Sequence, residues 1–153
     1  MYHFIVRQKL RRSFGDLNAG RYAPIVAQFA GPHRHLMVGR HALSGERRTP
    51  AATGRWYARL QRLLPGLRFE LESVAVSGWP WDTHALVSWK DSFTLPDGSV
   101  GNNQGVHAFR IAWGKVRSLE VHCDTDRLHT YLARIQTLGL EEAAAPPITD
   151  VPA

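Results

Sequence analysis

The sequence predicts an α+β fold: a curved, mostly antiparallel sheet wrapped on N-terminal helices and closed by a C-terminal helix. Three observations predict it. Apolar residues recur at helical spacing as far as Leu64 and at strand spacing from Leu67 onward. Two β-branched, aromatic-rich runs flank Trp113 and Gly114, the pattern of a hairpin. Asp124 then stands at the end of the second run, where its side chain can cap a helix opening with Thr125, Asp126 and Arg127.

A first helix is predicted over Ile5 to Ala19, with Val6, Leu10, Phe14 and Leu17 on one stripe and Gly20 ending it. A short helix over Arg21 to Phe29 tolerates Pro24 in its first turn. Gly31 and Pro32 break it, and a short strand covers His35 to Val38. Gly39 to Arg48 reads as a polar loop with a turn at Ser44 and Gly45. Pro50 opens a third helix through Leu64, with Ala52, Trp56, Leu60, Leu63 and Leu64 as its apolar stripe, and Pro65-Gly66 stops it. Strands follow over Arg68 to Ser77, with a phase shift near Ser73 that predicts a bulge, and over Thr83 to Leu95. The Gly105 hairpin and a helix over Thr125 to Leu138 complete the set. Residues 1–140 form one domain in this reading, and 141–153, with three prolines and three consecutive alanines, a flexible tail.

A chain of 153 residues, 44% hydrophobic and 21% charged, can bury one core. No apolar run approaches the ~18 residues of a membrane span, so no membrane partner is expected. The lone Cys123 excludes an internal disulfide and suits a reducing, cytoplasmic setting. The net charge of +6 raises nucleic acid as a partner. Its cations, however, are dispersed over Arg7, Lys9, Arg11, Arg12, Arg47, Arg48, Arg55, Arg59 and Arg62, while most aromatics fall at core-like positions. A solvated surface is therefore the reading adopted, without nucleic acid.

The order of these motifs resembles the SnoaL-like branch of the NTF2-like superfamily, which includes ketosteroid isomerase and polyketide cyclases. The resemblance covers Val6 to Gly139. It is carried by Leu17 to Gly20 with Ile25 to Phe29, Ala42 to Gly45, Pro65 to Phe69, and above all Gly105 to Ile111, Gly114 to Val116, Asp124 and Leu128. It implies a cystatin-like, cone-shaped roll with a hydrophobic pocket between the concave sheet and the helices, and homodimerisation through the outer face. It also places the isomerase's carboxyl donor at His107 and its supporting tyrosine at Tyr57. The oxyanion tyrosine falls on Ser13 or Phe14, and the base near Met37. Two of three essential roles are thus missing, and the isomerase reaction is not expected.

Strand parity puts His107, Phe109 and Ile111 on one face, and their hydrophobicity turns that face inward. His107 with Tyr57 is the candidate catalytic pair, Tyr57 being expected to bond the imidazole. The expected pocket wall is Phe14, Phe29, Trp56, Trp89, Phe109, Leu119, Val121 and Cys123, the last three by family position. The alternative for His107 is a satisfied core histidine. His33, His35 and His41 lack a carboxylate or thiol at a defined spacing, so they read as surface residues and no metal is expected. Asp124 reads as a cap, and Cys123 as a small hydrophobe. Trp79 and Trp81 bracket Pro80 in a turn, as a lid over the pocket or as rim packing. Two functions survive: cofactor-free acid–base catalysis on a cyclic or polyketide-like molecule, and non-catalytic binding of a small hydrophobic molecule. A basic protein recruiting nucleic acid is the weaker third.

Overall fold

The computed structural model describes residues 1–152. It contains helix α1 (Tyr2–Asn18), a short α2 (Ala23–Val26), strands β1 (Phe29–Met37) and β2 (Gly45–Arg47), and helix α3 (Pro50–Leu63). Strands β3 (Arg68–Trp79), β4 (Asp82–Thr94), β5 (Val100–Ala112) and β6 (Lys115–Cys123) follow, then α4 (Thr125–Thr137) and a 3-10 turn over Glu141–Ala144. The six strands form one sheet in the order β2-β1-β6-β5-β4-β3. Only the β1–β6 pairing is parallel.

Helix α1 buries Val6, Leu10, Phe14 and Leu17, the stripe its periodicity predicts, against the concave face of the sheet. Helix α3 starts because the Thr49 side chain accepts from Ala52 N, with Pro50 in the first turn where no intrahelical donor is lost. Asp124 caps α4 as expected, accepting from Arg127 N at 3.0 Å. The register of β3 on β4 slips between Leu71 and Ser73, which is the predicted bulge. At the other end of that hairpin a Cβ on Gly78 would sit 2.2 Å from the Asp82 carbonyl oxygen, so the tight turn through Pro80 and Trp81 admits only glycine there.

The structure departs from the sequence reading in three places. The second helix is four residues long rather than nine, because Phe29 already pairs with Val116 of β6. Gly31 and Pro32 interrupt that ladder, whose register shifts between Phe29 and Arg34, but the strand resumes and runs to Met37. The expected polar loop contains β2, and its Arg47 is fully buried. The expected fraying tail is docked as far as Asp150. Glu142 pairs with Arg62, the Ile148 carbonyl accepts from Arg47, and Asp150 accepts from the Thr49 amide and hydroxyl.

Candidate functional site

His107 lies on central strand β5, opposite Val87 of β4 and Val121 of β6, with its ring on the concave face. Phe14 of α1 packs edge-on to it at 5.1 Å between centroids, and Phe69, Trp89 and Phe109 lie within 5.9 Å. The Trp89 indole reaches it across Gly105. A Cβ on Gly105 would meet the Trp89 ring at 2.8 Å and the His122 carbonyl oxygen at 2.2 Å, so the glycine opens the path. Trp89 Nε1–H then donates to His107 Nδ1 at 2.8 Å.

That bond decides the tautomer. Nδ1 is an acceptor, so the proton of the neutral ring sits on Nε2. Burial lowers the imidazole to about 3, so the neutral form persists across physiological pH. Nε2 has no hydrogen-bond partner among the described residues, and the ring lines the main cavity. His107 is therefore a poised N–H donor rather than a base.

The cavity has two chambers. The larger, about 350 Å³, opens between α1 and the strand ends. Phe14, Phe29, Phe109 and Leu119 line it, with Ser13 and Gln28 hydrogen-bonded to each other at 3.0 Å on its wall. The smaller, about 40 Å³, lies deeper and is walled by Trp56, Trp89, Val121 and Cys123. Leu17, Tyr57 and His107 border both chambers. The eight expected wall residues are thus divided evenly between two spaces.

Tyr57 does not bond His107. Its ring stacks on Tyr22 and His35 and meets Trp56 edge-on, which aims it from α3 at the partition. Burial raises its phenol well above the ordinary value, so it too is a neutral hydroxyl.

No family model matches the sequence, and no curated protein matches it. Among solved structures, an NTF2-like protein of unknown function from Burkholderia pseudomallei K96243 superposes with a TM-score of 0.72 at 18% identity, over 82% of this chain and 95% of that one. TerC, co-crystallised with polyporic acid, gives 0.70 at 17% identity over 84% and 96%. Bal32a, from a soil-derived mobile gene cassette, gives 0.66 at 17% identity over 76% and 87%. The chain has the NTF2-like fold.

Within this NTF2-like fold the deep chamber holds a residue that the sequence reading missed. Asp91 of β4 lines it beside Asn103 and Cys123, and its Oδ1 is buried without a hydrogen-bond partner among the described residues. Burial raises the carboxyl to about 6, against the opposing pull of the Asn103 backbone amide. Parity would have found it: Trp89, Asp91 and Phe93 share the inward face of β4. Cys123, raised to about 11 chiefly by burial with help from Asp91, stays a thiol.

The surface reading of His33 and His35 is corrected. Both are buried on β1, because His33, His35 and Met37 alternate onto the core face of that strand. His33 bonds the Ala30 carbonyl and the Thr53 hydroxyl. His35 Nδ1 accepts from Arg47 Nε at 3.0 Å. The Arg47 guanidinium also donates to the carbonyls of Ser44, Gly45 and Ile148 and lies 5.2 Å from the Trp56 ring; burial lowers it to about 10. Trp79 and Trp81 stack on each other and flank Pro80, which lines the cavity. No helix among the described residues is long and apolar enough to cross a membrane.

Proposed function

We propose that the main cavity binds a small, largely apolar molecule through one carbonyl-type oxygen seated on His107 Nε2–H. The observation that carries this reading is the Trp89–His107 bond, which fixes the donor tautomer inside an otherwise aromatic and aliphatic chamber. A volume of about 350 Å³ suits one small ring system. A relative in fold, TerC, has been crystallised with polyporic acid, which supports the use of such a cavity for an organic ligand.

The test is paired titration of cyclic ketones and their hydrocarbon counterparts against the protein and its His107→Phe variant. A buried donor aimed at the ketone oxygen makes the ketone bind roughly tenfold more tightly. His107→Phe erases that preference and leaves hydrocarbon binding in place. Equal affinity for ketone and hydrocarbon in the unaltered protein rejects the reading.

Acid–base catalysis is a second reading, favoured by one observation: the orphaned Oδ1 of Asp91 behind the partition. Raised to about 6, that carboxyl is ionised at neutral pH yet basic enough to take a proton. A chamber of about 40 Å³ has room for a water molecule between it and the ligand. Asp91 would receive a proton from the carbon beside the carbonyl while His107 Nε2–H holds the resulting enolate oxygen; the proton then returns. Deuterium exchange into a bound ketone measures this, and Asp91→Asn abolishes it. A rate equal to that of buffer alone leaves the protein a binder.

A further inference from the structure

Around the mouth of the main cavity the surface carries apolar bulk that the fold does not use. Trp79 and Trp81 of the β3–β4 turn and Trp113 of the β5–β6 turn are 65%, 57% and 70% exposed. They form one cluster. Trp79 and Trp81 lie nearly parallel at 6.0 Å, and Trp81 is 6.2 Å from Trp113. Pro80 and Trp113 line the mouth, together with Tyr2, Ile5 and Lys9 of α1. His3 Nε2 bonds the Gly78 carbonyl at 2.7 Å, and Tyr2 bonds Thr83, so the start of α1 is fastened to the tryptophan hairpin. Exposed Ile5, which lines the mouth, and exposed Met1 on the same helical flank extend the apolar region.

Conformation adds to the cost of this arrangement. Trp113 has a positive φ of 53°, a backbone region that bulky residues avoid. Among the described residues it is the one non-glycine position with such a value. The turn would form more easily with asparagine or glycine there. A large indole is nevertheless held out beside the mouth.

The charge of the same face is one-sided. Between Met1 and Gly15 the chain carries Arg7, Lys9, Arg11 and Arg12 and no aspartate or glutamate. Helical spacing puts Met1, Ile5, Gln8, Lys9 and Arg12 on the flank of α1 that turns toward the mouth. Asp82, the carboxylate closest in sequence to the tryptophans, is paired with Arg110 at 2.8 Å. Indole rings with a polar N–H, aliphatic side chains and flanking cations together match the boundary layer of an anionic bilayer.

We infer that the three-tryptophan rim and the basic flank of α1 dock peripherally on an anionic lipid bilayer, with the cavity mouth turned toward the acyl chains. Charge complementarity selects the partner: a second copy of this chain would bring the same cations against Lys9 and Arg12. Single-stranded nucleic acid has no use for the exposed aliphatic side chains of Ile5 and Met1. The docking stands on the surface alone. Passage of a ligand from bilayer to cavity rests on the binding reading above.

The experiment is co-sedimentation with phosphatidylcholine vesicles, with and without phosphatidylglycerol, while tryptophan emission is recorded and no cavity ligand is present. Docking predicts a blue shift of about 10 nm on the anionic vesicles and at least tenfold weaker binding to the neutral ones. Trp81→Ser with Trp113→Asn lowers binding at least tenfold. These sites are exposed, and asparagine tolerates the Trp113 backbone, so melting temperature checks that the fold is kept. Lys9→Glu with Arg12→Glu removes the anionic preference. The inference is overturned by absence of binding at millimolar lipid, or by binding that the tryptophan variant leaves unchanged. It is equally overturned by a blue shift that follows protein concentration and doubling of mass without lipid, or by an oligonucleotide that displaces the protein from vesicles. Because no ligand is used, failure here leaves the ketone titration untouched, and the reverse holds as well.

Discussion

Replacing Asp91 with asparagine should make this protein more stable at neutral pH, the opposite of what most polar-site substitutions do. The Asp91 carboxyl has been raised from its ordinary 3.8 to about 6 because burial disfavours the ion and Oδ1 has no partner. The sign follows from which state holds the proton. Between pH 4 and 6 the folded chain keeps a proton that the unfolded chain has released, so stability falls as pH rises through this window. Below about 4 both states are protonated and the penalty is absent; above about 6 it is fully present. At ~1.36 kcal/mol per pH unit the whole penalty is up to about 3 kcal/mol. Asparagine is neutral throughout and nearly the same size, so it relieves the penalty only where the carboxyl is charged. For a chain of this length that corresponds to a melting temperature higher by roughly 6–12 °C at pH 7.5, less whatever the new amide loses by lacking a partner. Thermal unfolding of both proteins at pH 4 and pH 7.5 isolates the charge: the amide's own cost is common to both conditions and cancels in the difference. If the gap between the two proteins is the same at both pH values, Asp91 is not held out of its ordinary range and the proton-acceptor reading of it fails.

Three further outcomes are expected. Because burial lowers His107 to about 3, the unfolded chain takes up a proton that the native ring refuses as pH falls below 6.5. Up to about 5 kcal/mol is lost by pH 3 from this ring, and His107→Gln should flatten the acid limb of stability measured by urea unfolding. In nitrogen-15 spectra between pH 5 and 8, His107 should show an unprotonated Nδ1 and a protonated Nε2; a proton on Nδ1 would contradict the Trp89 bond. Deleting residues 147–153 removes the Ile148 carbonyl from buried Arg47 and the Asp150 carboxylate from the start of α3. It should cost about 1–3 kcal/mol in urea unfolding, and an unchanged midpoint would mean that the tail contributes nothing.

Local periodicity made much of the fold legible. The stripe Val6, Leu10, Phe14 and Leu17, the Thr49-Pro50 and Asp124 helix starts and the Trp113-Gly114 turn each depend on neighbours a few residues away. What stayed hidden depends on distant partners. Arg47 looks like a surface cation in sequence, and becomes a core residue because His35, the Ser44 and Gly45 carbonyls and the Ile148 carbonyl, 101 positions away, all accept from its guanidinium. The same docking turns a Pro- and Ala-rich tail into ordered structure. Phe29 to Arg34 reads as helix and breaker because its partner strand begins at Lys115. At the site, parity placed His107 and Phe109 correctly on the concave side. Parity does not show that Gly105 opens a path for Trp89, which is why the sequence points to Tyr57 as the partner instead. Asp91 was within reach of the same parity argument applied to β4.

The polar groups of the concave face are costly in a patterned way. His107 resists protonation, Tyr57 resists ionisation, and Asp91 holds a carboxyl oxygen without a partner. Elsewhere most buried polar groups bond to one another, His33 to Thr53 and Arg47 to His35 and to three carbonyls, with His35 Nε2 left unpartnered among the described residues. The arrangement around Tyr57 and His107 differs, because these two side chains border the same two chambers and Asp91 faces the deeper one. A merely structural network would satisfy its members internally, as the Arg47 network does except at His35 Nε2. Groups left with free hydrogen-bonding capacity at a shared cavity wall are the arrangement that a ligand oxygen completes. His33 has both ring nitrogens bonded, and the unpartnered Nε2 of His35 lines neither chamber, whereas the free nitrogen of His107 belongs to a ring that borders both; access to the cavity, not closure of the network, places function at His107.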